Sequence, residues 1–239
     1  MDLPIKMTSP WEATAPGWNH HRLDGDADAE LAIIGAGITG LAAALRAAES
    51  GKSVIVLDAA YPGWGASGRN GGQVIPGLKA DPGEIVDRFG AERGERLVEF
   101  AGQATDAVFR NIERHGIACM ANRGGWIQPA YNAATMRSLS ARCAQWQARG
   151  AAVEILDRSV VGDAIGSSRY VGGFFDRRAG SLHPLRYTRG LGQAARAMGV
   201  KIFSDASVNA IGRCGDRFFL QTGAGSVKAD RVLLGTNGY

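Results

Sequence analysis

Short apolar runs alternate along this chain with longer segments of helical spacing, a rhythm that predicts strands separated by helices. Leu31 to Ile34 is a first apolar run; an alanine-rich helical segment follows to Gly51, and Val54 to Leu57 is a second run. Asp81, Pro82 and Glu84 have the order of N-cap, N1 and N3 and predict a helix start of capping-box type. Leu97, Phe100, Ala104, Val108 and Ile112 then fall on one face of a long helix stopped by Gly116. Ile117 to Ala130 reads as two short strands around an Asn122, Arg123, Gly124 turn, and Met136, Leu139, Cys143 and Trp146 as the core face of a helix before Gly150. Val153 to Leu156 and Tyr170 to Phe175 are further strands, the second interrupted by Gly172 and Gly173. Pro184 opens a helix carrying Leu185, Leu191, Ala195 and Met198 as far as Gly199, and Val200 to Phe203 returns as a strand. Phe218 to Thr222 and Ser226 to Ala229 flank a Gly223, Ala224, Gly225 turn, the signature of a hairpin. Val232 to Leu234 is a last buried strand running into the turn Gly235 to Tyr239. Residues 1–29 read as an extended arm, punctuated by Pro4, Pro10, Pro16 and Gly17 and anchored by Trp11 and Trp18.

The first strand passes directly into Gly35, Gly37 and Gly40, and the second ends on Asp58. Strand, GxGxxG turn, helix, strand and terminal acid at a spacing near the expected ~20 residues form a dinucleotide-binding unit. Gly35 allows the sharp turn, Gly37 lets backbone approach a pyrophosphate, and Gly40 lets the helix pack closely on the strand. The helix N-terminus directs unpaired N–H groups and its dipole at the phosphates, and Asp58 is placed to accept from a ribose hydroxyl. Ala59 and Ala60 follow Asp58 without a basic residue, which argues against a 2′-phosphate and leaves FAD and NAD open. A second glycine-rich stretch, Pro62 to Gly77, sets the polar side chains of Ser67, Arg69 and Asn70 beside Gly71 and Gly72. Ordering so many glycines costs backbone entropy that a bound phosphate or flavin edge would offset.

A length of 239 residues suits one large domain or two small ones, and an apolar fraction of 45% suits a globular enzyme. A net charge of +4 with no basic run speaks against nucleic-acid binding. Cys119, Cys143 and Cys214 show no metal-ligand spacing and read as reduced thiols in or near the core; no metal site is expected. The first residues, with Asp2, Pro4 and Lys6, do not resemble a signal peptide, and Leu31 to Leu45 is shorter than the ~20 residues of a membrane span. The expectation is a soluble, cytoplasmic chain, with oligomeric state left open.

These stretches together resemble the flavin-dependent amine and amino acid oxidoreductases of the D-amino acid oxidase type, within them the subgroup around gamma-glutamylputrescine oxidoreductase. The carrying segments are the Trp11 to Pro16 arm, LAIIGAGITG, GWGASGRNGGQV, the His183-Pro184 segment and the terminal GTNGY. The resemblance implies an α/β fold, a Rossmann-like FAD-binding domain with a partial α+β substrate domain. It divides the chain into an arm (1–29), a first FAD-binding segment (30–80), a partial substrate or cap domain (81–180) and a second FAD-binding segment (181–239). It implies that Gly35, Gly37, Gly40 and Asp58 hold the ADP half of FAD, that Ser67, Arg69, Asn70, Gly71 and Gly72 lie along the pyrophosphate and flavin, and that Val208 meets adenine. Thr236, Asn237 and Gly238 would close the FAD domain. Asp58 stands where the family more commonly has Glu.

The activity so implied is hydride transfer from the carbon beside a small-molecule amine to FAD, giving an imine that water hydrolyses, with gamma-glutamylated amines among the candidates. No residue stands out as a catalytic base. His183 reads as the cap of the Pro184 helix, and His115 as a surface group facing a helix dipole. Family members are much longer, so the chain reads as the N-terminal part of such a protein and is not expected to turn over amines alone. The competing readings are a non-catalytic flavin-binding remnant or interaction module and an NAD-dependent dehydrogenase.

Overall fold

The computed structural model describes residues 9–238, and the Cys214 side chain lies outside the description. The parts of the expected arm and terminal turn that involve Pro4 and Tyr239 fall outside it too. The chain forms two compact units. The first takes its described residues from Met1–Gly71, His115–Cys119 and His183–Tyr239, and the second from Gly72–Arg114 and Met120–Leu182.

The first unit is built on β1 (Ala27–Ile34), α1 (Ile38–Glu49) and β2 (Val54–Leu57). All four residues of β2 are buried, as expected of a strand covered on both faces. After β3 (Gln73–Val74) and the helices and strands of the second unit, the first unit resumes with α7 (Pro184–Ala197) and β8 (Lys201–Phe203). It ends with β9 (Val208–Cys214), β10 (Arg217–Thr222) and β11 (Gly225–Leu234). The sheet order is β8-β2-β1-β11-β10-β9. β8, β2, β1 and β11 run parallel, with Ile33 facing both Val56 and Leu233, while β10 is antiparallel to β11 and β9. On one face Leu23, Ala32, Ile55, Leu57, Leu220 and Val227 form the core. Leu41 and Leu191, fully buried on α1 and α7, are worth about 1.5 to 3 kcal/mol each.

In the second unit β4 (Trp126–Ala130), β6 (Gly172–Asp176) and β5 (Val153–Leu156) form an antiparallel sheet in that order, and β3 pairs with β7 (Gly180–Ser181). Five helices complete it: α2 (Pro82–Phe89), α3 (Ala91–Gly102), α4 (Ala104–Arg114), α5 (Ala133–Gln147) and α6 (Arg158–Ile165). Asp81 and Glu84 make the predicted capping box. Leu139, Cys143 and Trp146 of α5 pack with Ile85, Val98 and Phe174 as its core.

Several elements differ from the sequence reading. The single helix expected through Leu97 and Ile112 is two, broken at Gln103 beside Gly102, where a Cβ would come within 3.1 Å of the Trp146 ring; Phe100 is left exposed. The pair of strands expected in Ile117 to Ala130 is one strand, β4: Met120 takes a positive φ of 54° and ends the extended run, leaving one isolated bridge from Asn122 to Ser181. Ser226 to Ala229 and Val232 to Leu234 are one strand, because β1 pairs with β11 from Val227 to Leu234. β9 and α6 carried no strong periodic signal and were not anticipated.

Candidate functional site

The carboxyl ends of β1, β2 and β11 open onto one cleft of about 420 Å³, entirely within the first unit. Position follows from fold: in open α/β sheets ligands bind outside the carboxyl ends of parallel strands. Gly35 turns the chain out of β1 with φ of +105°, and a Cβ there would sit 2.6 Å from the Gly235 carbonyl oxygen. Gly37 is the N-cap of α1 and has no side-chain cap to offer; no acidic residue stands in the first turn. Gly40, buried one turn on, would place a Cβ 2.0 Å from the Gly35 carbonyl oxygen, so α1 reaches β1 only because the side chain is absent.

Asp58 lines the cleft just beyond β2. Its Oδ2 accepts from the Ala36 N–H at 2.6 Å and its Oδ1 from the Ala60 N–H at 2.9 Å. The carboxylate therefore ties the glycine turn to the end of β2. Each oxygen retains acceptor capacity for a further donor, such as a ribose hydroxyl. Ser67, in a short 3-10 turn at Ala66–Gly68, accepts the Ile38 N–H on its Oγ at 3.0 Å. This remote hydroxyl satisfies one of the orphan donors at the α1 N-terminus. Val208, Thr236 and Asn237 complete the lining among the expected residues, with Asn237 in a left-handed conformation at φ of 60°.

Gly35, Gly37, Asp58, Ser67, Val208, Thr236 and Asn237 are thus gathered at one cleft, and Gly40 packs behind it. Arg69 and Asn70 are exposed and turn toward their own loop. Arg69 Nε donates to the Trp64 carbonyl at 2.6 Å with its guanidinium over the Trp64 ring, and Asn70 donates to the Ala66 and Ser67 carbonyls at 3.1 Å. Gly71 and Gly238 have open space where a Cβ would be, and Gly72 opens the second unit, its carbonyl accepting from Leu182. The lining also includes Ala60, Trp64 of the glycine-rich stretch, and Ser207, to which no motif pointed. Among the described residues the lining holds no Lys, Arg or His, so an anion there relies on backbone N–H groups and the α1 dipole. A wider, shallower depression on α3, around Arg93, Arg96 and Phe100, has no comparable convergence of donors and acceptors.

His183 lies outside this lining. It is buried at the N-cap of α7, where its Nδ1 accepts the Arg186 N–H at 3.2 Å. That bond fixes the proton of the neutral ring on Nε2, which donates to Thr14 Oγ1 at 2.9 Å. Burial first, then the Arg186 guanidinium, pushes its pKa below the ordinary histidine range. His115 differs from the surface group expected: its side chain is only 14% exposed and lies 3.6 Å from the Glu49 carboxylate. Cys119 and Cys143 are buried thiols. Among the described residues no cluster of three His, Cys, Asp or Glu is arranged to hold a metal, and no helix is long and apolar enough to cross a membrane.

Residues 30–239 match the family of FAD dependent oxidoreductases designated DAO. The chain belongs to this family. FAD is the cofactor that membership assigns, and the cleft suits a dinucleotide: a helix that starts on a glycine, only one of whose first N–H groups is met by a side chain, from Ser67, and an acid at the end of the second strand. The probable oxidoreductase OrdL of Haemophilus influenzae is 35% identical over 217 residues, covering 88% of this chain and 49% of that protein. Gamma-glutamylputrescine oxidoreductase of Escherichia coli is 30% identical over 211 residues, covering 88% of this chain and 49% of its own length. Among solved structures, glycine oxidase from Geobacillus kaustophilus superimposes with a TM-score of 0.70 at 21% identity, covering 87% of this chain and 55% of its own. L-amino acid deaminase from Proteus vulgaris gives 0.73 at 17% identity, with 92% and 49% coverage. These likenesses establish the Rossmann-like α/β fold of this DAO-family chain. The chain spans about half the length of the curated relatives it matches.

Proposed function

We propose that the cleft binds the ADP half of FAD and that the chain provides the cofactor-binding part of an oxidoreductase acting on the C–N bond of an amine or amino acid. In this reading segments 30–80 and 181–239 hold the cofactor and 81–180 contributes to the substrate side. The observation that carries it is the α1 N-terminus, which has no side-chain cap of its own and opens at Gly37 into a cleft bordered by Asp58 and Thr236. Backbone N–H groups of the glycine turn would receive the pyrophosphate, and Asp58, already held by Ala36 and Ala60, would take a ribose hydroxyl without having to reorganise. Ser67, Val208, Thr236, Asn237 and Gly238 would surround the remaining nucleotide, and Arg69, Asn70, Gly71 and Gly72 would follow the chain toward the flavin. When bound, FAD supplies the hydride acceptor, and the protein's part is to orient the substrate C–H bond and exclude water.

The substrate class rests on kinship with proteins named for gamma-glutamylputrescine and for glycine and L-amino acids. Gamma-glutamylated amines head the panel to be assayed, followed by glycine and other amino acids. The absorbance spectrum of the purified, FAD-reconstituted chain tests the cofactor reading: flavin bands retained through desalting are expected, and a flavin-free spectrum would refute it. Flavin bands with no reduction by any amine or amino acid in the panel are what a chain that supplies only the cofactor-binding part would give, and steady reduction would show that it carries the reaction by itself.

A further inference from the structure

From Ser9 onward the described N-terminal segment does not wander over the surface. Residues from Ser9 to Trp18 are laid against α7 by a dense set of polar contacts. Arg186 donates to the Thr14 carbonyl, Arg189 is 2% exposed and pairs with the Glu12 carboxylate, and Thr14 meets His183. The Trp11 ring stands edge-on to the His183 ring with 4.8 Å between centroids.

The same segment reaches the second glycine-rich loop. Trp11 Nε1–H donates to the Asn70 carbonyl at 2.9 Å, and Ser9 Oγ–H to the Gly68 carbonyl at 3.4 Å. From α7, the Thr188 hydroxyl lies between the Pro184 carbonyl, at 2.9 Å, and the Ser67 carbonyl, at 3.2 Å. The loop in turn holds the glycine turn, through Ser67 Oγ to the Ile38 N–H and through Gly63 N–H to the Ala36 carbonyl at 3.2 Å. Strap, loop and helix N-terminus are therefore linked by consecutive hydrogen bonds, although neither Trp11 nor Thr14 lines the cleft.

We propose that the Ser9–Trp18 segment is a strap that pre-orders the Gly63–Asn70 loop for the cofactor, with Trp11 as its main positioning residue. The inference rests on the FAD reading above and extends it to residues outside the nucleotide motif. A loop so rich in glycine loses much backbone entropy on ordering, and fixing it beforehand removes that cost from the binding step.

The test compares the full chain with Trp11→Phe, which keeps an aromatic ring against His183 but removes the indole N–H, and with Thr14→Val as a second variant. Two readouts are taken: hydrogen exchange of the Trp64–Gly71 amides without cofactor, and FAD affinity from quenching of flavin fluorescence. Faster exchange in that loop and FAD binding weaker by about three- to tenfold in Trp11→Phe, with the apo melting temperature unchanged, are expected. Exchange equal to the parent's would overturn the coupling of strap to loop. Faster exchange with FAD affinity within about twofold of the parent would overturn its service to the cofactor. A parent chain that binds no FAD would overturn the functional reading separately, and loop exchange would still decide whether the strap orders the loop.

Discussion

Gly40 in the first unit and Gly102 in the second are both buried helix residues at which a side chain would collide, yet what it would meet differs. At Gly40 the obstacle is the Gly35 carbonyl oxygen, 2.0 Å from an ideal Cβ; at Gly102 it is the edge of the Trp146 ring, at 3.1 Å. A backbone carbonyl at the end of a sheet strand cannot yield without moving the strand, whereas a ring can shift by a few tenths of an ångström. The glycine turn of the first unit is therefore specified by backbone geometry, and the helix junction of the second by side-chain packing, which repacks more cheaply.

Substituting each glycine measures that difference. Gly40→Ala should destabilise the chain by about 3 kcal/mol or more in urea unfolding, at the upper end of overpacking costs, and should abolish flavin retention. A stable, flavin-binding Gly40→Ala protein would remove the distinction. Asp58→Ala deletes an acceptor shared by two backbone N–H groups and the expected ribose; a charged hydrogen bond of about 1.5 to 3 kcal/mol corresponds to FAD affinity lower by roughly 10- to 150-fold, read by fluorescence titration. Gly102→Ala should stay within about 1 kcal/mol of the parent, since the gain in helix propensity offsets the push on Trp146.

The smallest expected effect is a pH dependence centred on His183. The charged groups near it are Arg186 and Arg189 of α7, with Glu12 of the strap paired to Arg189, while Thr14 and Trp11 face the ring. Its folded pKa lies below the unfolded value of about 6.5, so between the two the unfolded chain holds more protons and stability rises with pH. That stability is complete above about 6.5 and is lost as pH falls through the window, at no more than about 1.4 kcal/mol per pH unit. His183→Asn, which retains a capping side chain, should flatten that segment of a stability-versus-pH curve. An unchanged slope would place the titration elsewhere.

How far the sequence was legible follows the same division. The unit from Leu31 to Asp58 was readable residue by residue, because buried parallel strands appear as continuous apolar runs and backbone close approach demands glycine at fixed spacings. The helix at Ala91–Gly102 is misread because apolar periodicity runs on through Ala104, while the break at Gln103 falls beside Gly102, packed against Trp146 forty-odd residues away in the chain. β9 was missed because its sequence VNAIGRC lacks apolar alternation and forms only as the partner of β10. At the cleft, the glycines and Asp58 were marked by motif. The grip of Ala36 and Ala60 on Asp58 was not, since backbone donors leave no trace in residue type. Likewise the roles of Thr14, Arg186 and Arg189 in holding the arm depend on contacts more than 170 positions apart.

The central claim is that the glycine-started N-terminus of α1 receives the cofactor's phosphates, and Gly37→Val tests it most directly. Gly37 has an ordinary backbone conformation, and a Cβ there would meet the end of the Ser67 side chain, at 2.8 Å, which can rotate away at the cost of its one hydrogen bond to the Ile38 N–H, worth about 1 kcal/mol. The variant should therefore fold, while its branched side chain fills the space the pyrophosphate needs. Titration of parent and variant with FAD, followed by flavin fluorescence beside a thermal melt of each apo protein, separates the two effects. The account predicts saturable binding by the parent and none by a folded Gly37→Val chain; equal FAD affinity in the two would contradict it.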